Sequence, residues 1–118
     1  MEDANLELAI KGSCFGAVGT AGQRCTSLRR LYIQEGVYDK VVESLVKAYQ
    51  QVKVGDPLDK DTLMGPLHND LGLSIYENAI KKIKEQGGKI LTGGERYRMP
   101  GNFVEPTIVE ISPDADIV

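Results

Sequence analysis

Cys25 stands in the run Gly19-Thr-Ala-Gly-Gln-Arg-Cys25-Thr-Ser27, a glycine-bordered stretch in which a thiol directly follows an arginine. A cation beside a thiol favours the thiolate, which is the nucleophilic form. Glycines on the approach let a substrate carbonyl come close to the sulfur. Main-chain N–H groups in the same turn are suited to stabilising an oxyanion on that carbonyl. The chemistry that fits is nucleophilic attack on a carbonyl through a covalent intermediate. The bland alternative is an inert core thiol, the state of most free cysteines in globular domains. Cys14, in Ile10-Lys-Gly-Ser-Cys14-Phe15, has apolar neighbours and no nearby arginine, and it fits that description.

Few other residues invite chemistry. His68 is the single histidine. No residue near it in sequence suggests a proton relay, so it reads as a loop residue. One histidine does not make a multi-histidine metal site, and the two cysteines lack metal-type spacing, so no metal ligand is assigned. Gly16, Gly19 and Gly22 are spaced by three, which does not fit a G-x-G-x-x-G dinucleotide loop. They read as close packing or as a turn near Cys25. Gln23 reads as orienting the loop through its amide. Arg29-Arg30 is the only arginine pair, and it reads as a solvated or carboxylate-paired strand start.

The elements that must position these residues alternate between helix and strand patterns. Asp3 or Asn5 is placed to cap a first helix running through Leu6, Leu8, Ala9 and Ile10 towards Phe15. That helix delivers the glycine-rich turn and Cys25. Leu28 to Ile33 reads as a strand, with Leu31 and Ile33 on one face and Arg30 and Tyr32 on the other. Val37, Val41, Val42, Leu45, Val46 and Tyr49 define an amphipathic helix ending near Val52. Gly55-Asp-Pro-Leu-Asp59 is a turn. Asn69 or Asp70 opens a third helix with Leu73, Tyr76, Ala79, Ile80 and Ile83 on its apolar side, and Gly87-Gly88 ends it. Lys89 to Leu91 reads as a short strand and Phe103 to Ile111 as another, with Pro106 arguing for an edge or a break. This order predicts an α/β fold with a largely parallel sheet.

Composition narrows the field. With 42% hydrophobic and 26% charged residues and a net charge of −3, the chain suggests neither disorder nor nucleic-acid binding. Its apolar stretches are too short to cross a bilayer, so no membrane partner is expected. Glu2 and Asp3 directly after Met1 show no secretory or transit peptide. Reduced thiols fit a cytoplasmic setting, with a mitochondrial one left open.

The residues around Cys25 resemble the nucleophile segment of the aldehyde dehydrogenase superfamily. The resemblance rests on Gly22-Gln-Arg-Cys25 followed by Thr26-Ser-Leu-Arg-Arg-Leu-Tyr-Ile33. It continues through Val54-Gly-Asp-Pro57, Gly65-Pro-Leu67, Gly87-Gly-Lys-Ile-Leu-Thr-Gly-Gly94 and Gly101-Asn-Phe-Val-Glu-Pro-Thr107. Glu2-Asp-Ala-Asn-Leu6 looks like the acidic stretch opening the helix before the nucleophile. Several motifs in the right order are far more specific than any one of them. Within the family, Val18-Gly-Thr-Ala-Gly-Gln-Arg-Cys25 and Gly65-Pro-Leu-His68 look most like the branch that oxidises alpha-aminoadipic semialdehyde.

The resemblance implies the central part of the catalytic domain. At 118 residues the chain reads as a partial catalytic domain spanning 1–118. It lacks the family's Rossmann cofactor domain, its Glu-Leu-Gly-Gly general base and its oligomerisation strands. NAD is the implied cofactor, and no residue of the chain is assigned to bind it. Cys25 is the implied nucleophile, forming a thiohemiacetal and then a thioester, with its own N–H as an oxyanion donor. Arg24 either reads the carboxylate of a semialdehyde substrate through its guanidinium fork or points away and pairs with an acidic side chain. Thr26 either lines the pocket beside the thiol or caps the turn. Glu105 matches a structural strand position rather than a base.

Three functions of different class follow. The chain is a segment of an NAD(P)-dependent aldehyde dehydrogenase acting on a small-molecule aldehyde. By itself it is alternatively a weak cysteine esterase. The third reading is a catalytically silent remnant or interaction module, whose uncovered apolar faces favour self-association or binding to other subunits.

Overall fold

In the computed structural model, which describes residues 1–118 throughout, three helices and a small sheet surround one apolar cluster. Helix α1 spans Leu6–Val18 and starts where Asn5 accepts a hydrogen bond from the Leu8 N–H at 3.1 Å. This is the side-chain cap that helix starts require. Helix α2 spans Tyr38–Gln50 and buries Val41, Leu45 and Tyr49, one stripe at helical spacing. Helix α3 spans Asp70–Glu85 and buries Leu73 and Ile80. The Asn69 side chain caps it, accepting from the Gly72 N–H at 2.9 Å. At its end the Gly88 N–H reaches Ile83 O and the Gly87 N–H reaches Lys84 O. Gly87 takes φ +79°, so a glycine sits where a left-handed residue closes the helix.

Strands β1 (Lys89–Thr92) and β2 (Ile108–Glu110) pair antiparallel, Ile90 opposite Val109, with an irregularity between Ile90 and Thr92. The α/β class stands, with helices and a sheet in one chain. The parallel order read from the alternation is corrected within this chain: β1 and β2 pair antiparallel, and the stretch joining them contains no helix to carry the usual parallel crossover. The single parallel contact is the isolated bridge between Val54 and Met64. The extended stretch from Leu28 to Ile33 pairs with no strand, and Tyr32 on it is 80% exposed. It has strand sequence but no partner here to receive its backbone groups. Pro106 does break its stretch. Val104 bridges Arg96 before it, and β2 begins only at Ile108.

The core joins Val18 at the end of α1, Tyr49 of α2, Val54, Met64, Leu73 of α3, Phe103 and Val104. Only 11 of 118 residues are buried, so large apolar side chains remain open, Leu58 at 90% and Ile75 at 61% among them. No helix is long and apolar enough to cross a membrane.

Candidate active site

The approach to Cys25 is a short left-handed turn, Gly19–Gly22, laid directly on the end of α1. Thr20, Ala21 and Gly22 take φ of 55°, 51° and 71°. Glycine tolerates this region, whereas a β-branched residue there is an outlier costing roughly 1–3 kcal/mol. The surrounding bonds hold the strain. Thr20 O accepts from both the Gln23 N–H, at 3.0 Å, and the Gln23 Nε2, at 3.1 Å. Gln23 Nε2 also donates to Pro66 O at 3.2 Å, and Gln23 Oε1 accepts from the His68 N–H at 2.7 Å. Gln23 therefore does orient its loop through the amide, by latching it to the Gly65–His68 segment. A Cβ on Gly19 would run into the Arg24 guanidinium, so Gly19 serves close packing and Gly22 serves the turn.

Cys25 sits at the corner of the next turn. The Ser27 N–H donates to Arg24 O at 3.1 Å, and Ser27 Oγ accepts from the Arg24 N–H at 3.1 Å. Cys25 and Thr26 occupy the two exposed corner positions between them. Their own N–H groups donate to nothing in the chain, which leaves two main-chain donors free beside an exposed thiol. Ser27, not Thr26, caps the turn. The Leu28 N–H donates to Gly16 O at 3.0 Å, fastening the exit of the turn to α1.

Arg24 folds back on α1. Its Nη2 donates to Phe15 O at 3.1 Å, and its guanidinium lies 5.1 Å from the Phe15 ring centroid. The last turn of α1 holds no basic residue, so Arg24 brings positive charge to the negative end of the helix dipole. It makes no salt bridge with an acidic side chain, which corrects that alternative. Nε is buried without a partner.

The two cysteines differ in exposure, Cys25 being exposed and Cys14 half-buried. Cys14 is half-buried against the core, and burial pushes its thiol pKa up. Its core neighbour Tyr49 is pushed up to about 12, by burial first and then by the Cys14 charge. His68 is exposed, and its only role at the site is the N–H given to Gln23. The Glu105 N–H bonds Glu95 O and Glu105 O accepts from Tyr76, a framework position. Arg29 was not legible. It is exposed, as a solvated side chain would be, and pairs with no carboxylate, but its Nη1 reaches Ser27 O and its Nη2 reaches Arg24 O, both at 3.2 Å. A bond to a main-chain carbonyl leaves no residue-type signature. Ser27 was readable, since serine closing a turn three residues on is common turn chemistry.

The cofactor implied by the resemblance does not fit the residues present. Helix starts are the usual pyrophosphate sites. Here the starts of α1 and α3 are filled by their own caps, that of α2 has no side-chain cap, and all three carry a carboxylate in the first turn, Glu7, Asp39 and Asp70. These residues form no dinucleotide site.

The site is an α/β framework that presents an exposed thiol at a turn corner beside two unengaged main-chain N–H groups. The sequence pattern of the aldehyde dehydrogenase family matches residues 1–118, and the chain belongs to that family. It is similar to aldehyde dehydrogenase family 7 member A1 of Brassica napus, 58% identical over 118 residues, all of this chain and 24% of that protein. It is also similar to alpha-aminoadipic semialdehyde dehydrogenase of Bos taurus, 48% identical over 99% of this chain and 22% of that one, so its relatives are antiquitin-like. The NAD+ complex of aldehyde dehydrogenase from Bacillus cereus superposes with a TM-score of 0.94 at 36% identity, covering 99% of this chain and 24% of that one. The chain thus spans about a quarter of the length of the relatives it matches.

Proposed function

We propose that this chain carries the covalent half of an NAD(P)-dependent aldehyde dehydrogenase that oxidises an amino-acid semialdehyde to a carboxylate. Cys25 thiolate adds to the aldehyde carbon, forming a C–S bond while the carbonyl π pair moves to oxygen. The Cys25 N–H stabilises that oxyanion. The observation that carries this reading is the exposed Cys25 at a turn corner whose N–H groups are unengaged. Thr26, the other corner residue, lines the approach to the thiol. Arg24 reads the distal carboxylate through Nη1, which donates to nothing in the chain. The similarity to alpha-aminoadipic semialdehyde dehydrogenase supports that substrate class.

The test is intact mass and peptide mapping after limiting iodoacetamide, with and without alpha-aminoadipic semialdehyde or a neutral aldehyde of equal length. Cys25 labels ahead of Cys14, and the semialdehyde protects it better than the neutral aldehyde does. Arg24→Gln removes that preference. Equal, slow labelling of both thiols would sink the reading. A second reading, association with further polypeptide, is favoured by the open Leu58, Ile75 and Tyr32. Sedimentation of the chain alone checks it.

A further inference from the structure

We infer that Arg29 is a positioning residue that orients the Cys25 N–H as the main-chain oxyanion donor, an inference that rests on Cys25 being the nucleophile. The Arg29 guanidinium forks onto two carbonyls, Ser27 O through Nη1 and Arg24 O through Nη2, each at 3.2 Å. These carbonyls bracket the Cys25–Thr26 corner. Arg24 O also accepts from the Ser27 N–H at 3.1 Å, so two donors fix its direction. The chain has no cis peptide bond. In a planar trans peptide the C=O and the following N–H point in opposite directions. Holding Arg24 O into the turn therefore turns the Cys25 N–H out of it, where it bonds nothing in the chain. The second carbonyl sets the exit. Ser27 O is held by Arg29 while the Leu28 N–H of the same peptide is held by Gly16 O at 3.0 Å. That peptide is held at both its C=O and its N–H.

A planar five-donor fork suits this task, whereas a lysine offers one compact charge. The side chain never touches the substrate and acts only through the peptide it holds. Its loss should affect reactions that build an oxyanion and spare those that do not.

The experiment compares two modifications of Cys25 in the 118-residue chain, mapped by peptide mass. p-Nitrophenyl acetate acylates. Sulfur bonds to the carbonyl carbon, the π pair moves to oxygen as an oxyanion, and its collapse expels p-nitrophenolate. Iodoacetamide alkylates by direct displacement of iodide and passes through no oxyanion. Arg29→Ala should slow acylation about tenfold, less than the roughly hundredfold cost of losing an oxyanion donor outright. Its alkylation rate should equal that of the unaltered chain, and Arg29→Lys should acylate at an intermediate rate. Unchanged acylation overturns the inference. An equal fall in acylation and alkylation also overturns it, because that result means Arg29 only keeps the turn folded. Absence of selective Cys25 modification in the unaltered chain overturns the nucleophile reading itself, and this inference with it.

Discussion

The nucleophile loop and the α3–β1–β2 layer are held together by different forces. Between Gly19 and Arg29 only Gly19 is buried, yet Gln23, Arg24, Ser27 and Arg29 all bond the main chain of the loop or its neighbours. In the other region Leu73, Ile80, Phe103 and Val104 are buried. There the Tyr76 hydroxyl lies 2.8 Å from that of Thr107, which accepts from the Gly94 N–H at 2.9 Å. Apolar burial is strong but non-directional. A hydrogen bond adds only about 1 kcal/mol net, but it fixes an angle. The layer supplies stability and the loop supplies orientation, at the cost of left-handed backbone at Thr20 and Ala21.

The sharpest break in this comparison is Cys25→Ser. Covalent capture of activated esters should disappear altogether, leaving only slow alkylation of Cys14, whose buried thiol ionises above the ordinary range. Mass spectrometry across pH checks this, and persistent acylation of the variant would contradict the assignment. Next in size is Phe103→Ala. Phe103 is 9% exposed within the core, so its truncation should cost about 3–5 kcal/mol in urea unfolding. A cost no larger than that of a loop substitution would erase the distinction between the regions.

Alkaline pH tests the layered core at Tyr49. Its pKa is raised from 10.0 to about 12 in the folded chain, so the folded state holds the phenol proton where the unfolded state has lost it. The stability this contributes is complete below pH 10 and is lost as pH rises towards about 12. Tyr49→Phe should flatten that decline in a pH series of unfolding midpoints. The smallest effect has the opposite sign. Thr20 is exposed with φ 55°, and Thr20→Gly should stabilise the chain by about 1 kcal/mol through relief of strain. A destabilised variant in thermal unfolding would show that the Thr20 side chain, not the backbone bonds, holds the turn.

Much of the framework was written locally. Asn5 and Asn69 are cap residues, and their helices start beside them. Gly87-Gly88 follows α3 and closes it, while Pro106 interrupts a strand it has no N–H to support. Each depends on residues within a few positions, so residue type and spacing are sufficient. The Gly-Gln-Arg-Cys25 context marked one thiol out for chemistry, while the exposure of Cys25 against the half-buried Cys14 came only with the fold.

Tertiary structure decided whatever needed a partner far along the chain or a main-chain group. Leu28 to Ile33 has strand composition but no neighbouring strand here, and pairing is a property of two segments. The sheet is antiparallel, with Ile90 opposite Val109, a pairing that joins segments well apart in the chain. Gln23 finds Pro66 O and the His68 N–H more than 40 positions away. Arg24 and Arg29 find carbonyl oxygens, which every residue carries and no side-chain pattern reveals. By itself the sequence determined that a cysteine turn would follow a capped helix. Only the tertiary structure decided where its N–H groups point, because that direction is set by bonds to backbone atoms brought close by folding.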